Sequence, residues 1–325
     1  MGLTATARAY LTKVEVLRDL EEKVHELMRK HEAKRELWMP SDLLQSENPE
    51  VGPDEHVAQL RERAKGIPDY ARAALALNTL TEEGLPHFHR LIAVHLGDDS
   101  FWRVWNNLWT AEEDRHGQVL HDYARDARLF EQRRIEEMQF EYMRAGFHPD
   151  WDKDPYRVFV YTTLQERATQ FSHANTGRIV QEYEPGLGKI LSIMASEEAR
   201  HYVFYRTVFE EILERDPNEA LLSASYLMPA IDMPGVAMPG FKDLADVVRR
   251  AGIYGPRDYL RIVQEQIKHW KVESITGLNE IGRKAQEKIL EIPDRLKRIA
   301  DLMETRSRAK TFSFPVVFNR EFAME

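Results

Sequence analysis

Apolar positions recur at helical spacing over most of the chain. In residues 10–36, Val14, Leu17, Leu20, Val24 and Leu27 fall on one stripe of a charged segment, the pattern of a helix laid against a core. Similar stretches predict helices over 54–66, 69–95, 99–127, 130–145, 155–182, 187–214, 217–229, 242–252, 256–271 and 279–305. The breaks between them are rich in Pro, Gly, Ser, Asn and Asp: "WMPSDLLQSENPEVGPDE", Pro185–Gly186 and "MPAIDMPGVAMPGF" at 228–241. Alternating apolar and polar residues, the mark of a strand, are missing elsewhere. Only the tail "TFSFPVVFNREF" (311–322) suits a short strand or an extended packed arm. The expected architecture is therefore all-α, about ten helices in one domain spanning 1–325, with a core near 69–214 and accessory helices at 1–66 and 217–325.

Composition narrows the chemistry. With no cysteine among 325 residues, disulfides, thiolate metal sites and cysteine nucleophiles are excluded. No apolar run nears the roughly 20 residues that span a bilayer, and no signal-peptide core is present, so no membrane insertion is expected. The start "MGLTAT" fits a loose myristoylation pattern, but nothing polybasic follows it. A net charge of −9 argues against nucleic-acid binding. That charge is uneven: residues 241–325 hold 17 Lys and Arg against 13 Asp and Glu, a balance of +4 that leaves −13 on residues 1–240. A basic C-terminal third can greet an acidic partner.

One motif occurs twice. "TAEEDRHG" (110–117) and "SEEARH" (196–201) share the pattern E-E-x-x-H and supply Glu113 with His116 and Glu198 with His201. Spacing of i, i+3 puts each pair on one helix face. Glu82 precedes Glu113 by 31 residues and Glu166 precedes Glu198 by 32, enough for a helix to end, turn and return antiparallel. Carboxylates and imidazoles are the ligands that iron or manganese takes when thiolates are absent. Four helices carrying Glu, Glu-x-x-His, Glu and Glu-x-x-His make a ferritin-like four-helix bundle around a carboxylate-bridged dimetal site. Glu83, Glu112 and Glu197 adjoin these residues and can orient the histidines. His173, seven residues after Glu166, suits a supporting position better than a ligand.

The chain resembles the soluble acyl-acyl carrier protein desaturases, the stearoyl-type enzymes of plant plastids and some bacteria. The likeness rests on "LWMPSDLL", "LRERAKGIPDY", "TEEGLP", "WTAEEDRHG", "YTTLQERATQFSHANTGR", "EEARH" and "WKVESITGLNEIGRKAQ". It implies a diiron centre with ligands Glu82, Glu113, His116, Glu166, Glu198 and His201, choosing the first acid of "TEEGLP" and the second of each E-E pair. It implies that two iron ions act with O2, fed by a ferredoxin-type donor, to place a cis double bond in a saturated acyl chain carried by acyl carrier protein. It further implies Thr169 as a proton relay, Trp38 on the electron route and a homodimer. The expected location is cytoplasmic, or plastid stroma in a plant or alga. A narrow apolar tunnel is needed because an acyl tail offers no polar handle, and the candidate lining is Leu91, Trp102, Asn106, Phe159, Thr162 and Met194. Two departures bear on that tunnel: a shorter segment around 93–100, and Val158 where plant members have glycine. The alternatives are a related diiron hydroxylase or N-oxygenase, and a ferritin-like iron-storage or peroxide-scavenging protein.

Overall fold

The structure is a computed structural model that describes residues 5–97, 100–149 and 154–325. The first four residues of the myristoylation pattern and part of the 93–100 segment lie outside them. The described residues form fourteen α-helices and one two-stranded hairpin, more helices than the sequence pattern separates. In order they are α1 (Ala5–Asp19), α2 (Glu21–Lys34), α3 (Pro40–Leu44), α4 (Pro53–Ala64), α5 (Asp69–Glu82), α6 (Leu85–Leu96) and α7 (Ser100–Ala127). There follow α8 (Gln132–Ala145), α9 (Pro155–Val180), α10 (Pro185–Arg215), α11 (Pro217–Leu227), α12 (Phe241–Arg250), α13 (Pro256–His269) and α14 (Glu280–Arg306). The tail forms β1 (Lys310–Ser313) and β2 (Glu321–Met324), antiparallel with Phe312 opposite Phe322.

Several starts are written locally. Asp154, Glu184 and Asp216 each accept a hydrogen bond from a backbone N–H of the first turn, and Pro155, Pro185 and Pro217 follow them at the first helical position. Two expected helices are split. Residues 10–36 divide at Leu20, and 69–95 stops at Glu82 and restarts at Leu85. The second break follows from Gly84, whose N–H bonds the Thr81 carbonyl, and from Pro86, which suits the first turn of a new helix and not the middle of an old one. Gly84 is also required sterically, since a Cβ there would lie 2.5 Å from the Tyr142 hydroxyl.

Four helices close a ring: α5 lies beside α7 and α9, and α10 beside α9 and α7. Two apolar cores occupy its ends. One joins Trp102, Trp105 and Trp109 of α7 to Tyr156–Leu164 of α9 and Phe204–Leu213 of α10. The other joins Leu75 and Leu80 of α5 to Val119 and Leu120 of α7 and Leu187–Met194 of α10. Helix α7 therefore runs from the first core to the second, while α10 runs back. The segments between the cores, around 113–116 and 198–201, carry buried acids and histidines. A polar layer is thus clamped between two apolar ones. The hairpin seals the second core with Phe312, Phe314, Val316 and Val317, and no helix among the described residues is long and apolar enough to cross a membrane.

Candidate metal centre

All six repeat-derived residues meet in that polar layer. Glu82 is the last residue of α5, Glu113 and His116 lie mid-way along α7, Glu166 is on α9, and Glu198 and His201 are on α10. They fall into two groups of four: Glu82, Glu113, His116 and Glu198, and Glu113, Glu166, Glu198 and His201, with the facing atoms of each group within 4.8 Å of one another. Glu113 and Glu198 belong to both groups. Each of their carboxylates has two oxygens, so one carboxylate can face both centres.

The histidines are oriented from behind. His116 Nε2 lies 3.0 Å from Glu197 Oε2, and His201 Nε2 lies 2.8 Å from Glu112 Oε2. The support is crossed: the acid beside each E-x-x-H glutamate holds the histidine of the other helix. With Nε2 donating outward, each Nδ1 presents a lone pair to the cluster. His116 Nδ1 is 3.2 Å from both Glu113 and Glu198, and His201 Nδ1 is 2.8 Å from Glu113. These approaches are short but not aligned as hydrogen bonds. Six inward atoms have no hydrogen-bond partner: Glu113 Oε1, His116 Nδ1, Glu166 Oε2, both Glu198 oxygens and His201 Nδ1. Each buried polar group left unsatisfied costs about 1–3 kcal/mol, so packing alone would not collect six at one point. Divalent cations accept all of them, and the donor set of oxygens and imidazole nitrogens suits iron or manganese.

Without cations, protons fill the gap. Burial pushes the Glu82 carboxyl up, partly offset by the hydrogen bond from His173, and burial with the Glu113 and Glu198 charges holds Glu166 well above the usual range. Burial would lower His116 and His201, yet the surrounding carboxylates, Glu113 foremost, raise both well above ordinary histidine. The supporting acids move the other way. Burial raises Glu112 and Glu197, but hydrogen bonds from His201 and His31, and from His116, overcome it and keep both ionised. Cation binding at the cluster would therefore release protons.

The remaining expected residues divide. His173 Nε2 is 2.8 Å from Glu82 Oε1, a supporting position. Trp38 donates from Nε1 to the same Glu197 oxygen that His116 approaches, and its ring lies parallel to His116 at 6.1 Å. The Thr169 hydroxyl donates to the Gln165 carbonyl one turn earlier and accepts from the Gln165 amide. Glu83 points elsewhere and pairs with His121 at 2.6 Å.

A cavity of about 740 Å³ reaches Glu82 and Thr169 from the side of α12, α13 and α14, with walls that include Leu77, Met233, Phe241, Tyr254, Tyr259 and Leu296. None of the six expected tunnel residues lines it. Phe159 and Met194 have no accessible surface, so no water-sized space borders them, and Met194 lies in the opposite core. Trp102 packs on Phe159 at 5.3 Å and donates to the Leu17 carbonyl, Asn106 donates to the His89 carbonyl, and Thr162 bonds back to Val158. Leu91 is half-buried against the same core.

Sequence reasoning missed the outer polar contacts. His31 of α2 lies 2.8 Å from the Glu112 oxygen that also meets His201, and Arg35 reaches its second oxygen. Arg115 and Arg200 both donate to Glu197. Trp109 donates to Glu166. No spacing links His31 to a motif 80 residues away.

A family model for fatty acid desaturases matches residues 12–318. The chain belongs to the fatty acid desaturase family. Curated relatives agree. The chain is 34% identical to the chloroplastic stearoyl-[acyl-carrier-protein] 9-desaturase of Gossypium hirsutum, across 95% of this chain and 82% of the relative. It is 33% identical to a palmitoyl-[acyl-carrier-protein] 4-desaturase of Ophrys sphegodes, across 87% and 75%. A proposed acyl-ACP desaturase of Mycobacterium tuberculosis H37Rv, DesA2, has a crystal structure that superposes with a TM-score of 0.61 at 19% identity, covering 84% of this chain and 99% of that one. This last likeness shows a shared all-α fold. The two curated relatives are named for different positions on different acyl chains, so the likeness gives an oxidoreductase desaturase and no regiochemistry.

Proposed function

We propose that this desaturase uses two iron ions, held by Glu82, Glu113, His116, Glu166, Glu198 and His201, to insert a cis double bond into a saturated acyl chain carried by acyl carrier protein. The observation that carries the reading is the sharing of Glu113 and Glu198 between two four-residue groups, six of whose inward atoms lack partners. The reaction removes two hydrogens from adjacent methylenes. With O2, two electrons from a ferredoxin-type donor and two protons, the products are an alkene and two waters.

When bound, the metal pair supplies the oxidant that side-chain acids and bases cannot, since the methylene C–H bond is unactivated. The chain's own residues do the rest. Glu112 and Glu197 fix the histidine tautomers, so that Nδ1 of His116 and His201 stays available. Trp38 and Glu197 form a bonded path to His116 from the outer side of the cluster, a route for the donor's electrons. Thr169 borders both the cavity and α9 one turn beyond Glu166, where its hydroxyl can pass a proton. The apolar walls of the 740 Å³ cavity exclude water and lay an acyl chain against Glu82.

The test is incubation of the full chain with a series of saturated acyl carrier proteins, ferredoxin, reductant and O2, followed by mass spectrometry of the chains. A loss of two mass units from the acyl group is expected. A gain of sixteen, the mark of a hydroxylase, or iron oxidation with no acyl turnover, the mark of a storage protein, would contradict the reading.

A further inference from the structure

A second cavity, about 860 Å³, also ends on Glu82, between the start of α6, the middle of α7 and α8. The first cavity balances Glu82, Asp243 and Asp246 with Lys242, Arg249 and Lys310 among its apolar walls, whereas this one is lined by acids without Lys or Arg. Glu82, Glu83, Asp114 and Asp122 line it with His89 and His121, and among the described residues the one cation paired to these acids from outside the lining is Arg125, 2.9 Å from Asp122. The acids form a graded series from solvent inward: side-chain exposure is 24% at Asp122, 17% at Glu83 and 5% at Glu82. Asp114 is exposed at the rim. On α7, Thr110, Asp114, Gly117 and His121 recur every three or four residues, so a single stripe of that helix forms one wall. The stripe packs against the end of α5, where a Cβ added at Gly117 would sit 3.5 Å from the Glu82 carbonyl carbon, an ordinary contact.

The placement of the acids has a cost that a purely structural role does not explain. Glu82 is the last residue of α5 and Glu83 its C-cap. The C-terminal end of a helix carries partial negative charge and favours cations, so two carboxylates there oppose the field. A cation arriving at this point is favoured by both the helix end and the acids.

We infer that this acidic cavity is the path by which divalent metal ions reach the buried cluster, separate from the apolar cavity that serves the acyl chain. The inference rests on the metal-centre reading above. A hydrated divalent cation passes along oxygen and imidazole donors and is disfavoured along the Leu, Met and Phe walls of the other cavity. Asp114 collects the ion at the rim, Glu83 and His121 hand it inward, and Glu82 delivers it to the group it shares with His116. Of the six cluster residues, only Glu82 borders either large cavity.

The experiment measures loading rather than turnover. Apoprotein of the full chain, stripped by a chelator under reducing conditions, is mixed anaerobically with Co(II), and growth of the cobalt d–d absorption is followed by stopped flow. The double variant Asp114→Asn/Glu83→Gln should load about tenfold more slowly, the size of a lost steering field, while reaching the same final cobalt content. The single exposed variant Asp114→Lys should also slow loading, which guards against a folding defect in the double variant. Added salt should slow the unmodified protein toward the variants. Asp243→Asn, at the rim of the apolar cavity, should load normally. Unchanged loading in both Asp114 variants, or equal slowing in Asp243→Asn, would overturn the path while leaving the metal centre intact. Absence of any cobalt absorption in the unmodified protein would overturn the metal centre and the path with it.

Discussion

The two halves of the repeated unit, α5 with α7 and α9 with α10, are chemically alike and sterically different. Each contributes one glutamate and one Glu-x-x-His. Glu166, however, lies inside a 26-residue helix, is fully buried and is held by the Trp109 indole. Glu82 ends a 14-residue helix, borders both cavities, and is held by His173. The break at Gly84 makes the difference. It turns the chain away just past the cluster and leaves Glu82 bordering both cavities, whereas the Glu166 side is closed by Trp105, Trp109 and Tyr205. A sequence repeat thus supplies matched donors to two groups, and a single helix end sets one of them against both cavities.

The largest effect should come from breaking what the halves share. Glu113→Ala removes a carboxylate common to both groups and should abolish desaturation, a loss of at least about 10³-fold, and leave fewer than two metals per chain by elemental analysis. Far-UV circular dichroism should stay near normal, because helices clamped by two apolar cores do not need the cluster to form. Full activity in this variant would break the comparison at its root.

A smaller effect should follow from the crossed supports. Glu112→Gln and Glu197→Gln each loosen one histidine and should weaken metal affinity by about 10–100-fold, measured by chelator competition. If only one variant weakens binding, the two halves are not equivalent. Smaller still is the effect of access without chemistry. Gly84→Ala drives a Cβ to 2.5 Å from the buried Tyr142 hydroxyl, while Gly117→Ala meets only ordinary contacts of 3.5–3.6 Å. Denaturant unfolding should show the first destabilised by about 1–3 kcal/mol and the second hardly changed. Equal losses would mean that the α5–α6 break is not sterically fixed.

What could be read from the sequence follows the range of the forces involved. Glu113 with His116 and Glu198 with His201 were legible because i, i+3 spacing is a property of one helix, and Glu82 and Glu166 because a helical turn-and-return has a narrow length. The split at Gly84 was legible too, in "EEGLP", but apolar periodicity running through 69–95 outweighed it. His31 and Arg35 were not, since they reach Glu112 from a helix whose own pattern is only amphipathic. The lining of the 740 Å³ cavity was not legible either. Trp102, Phe159 and Met194 face inward from the right helices, but whether a space opens beside them depends on how several helices close, and here they close tightly. The cavity opens against α12–α14, segments that carry no metal-ligand motif.

The central claim is that one buried layer holds two metals bridged by Glu113 and Glu198. Mössbauer spectroscopy of protein loaded anaerobically with ⁵⁷Fe(II), combined with iron analysis, tests it most directly. The account predicts two irons per chain that become magnetically coupled on oxidation. One iron per chain, or two that stay uncoupled, would contradict it.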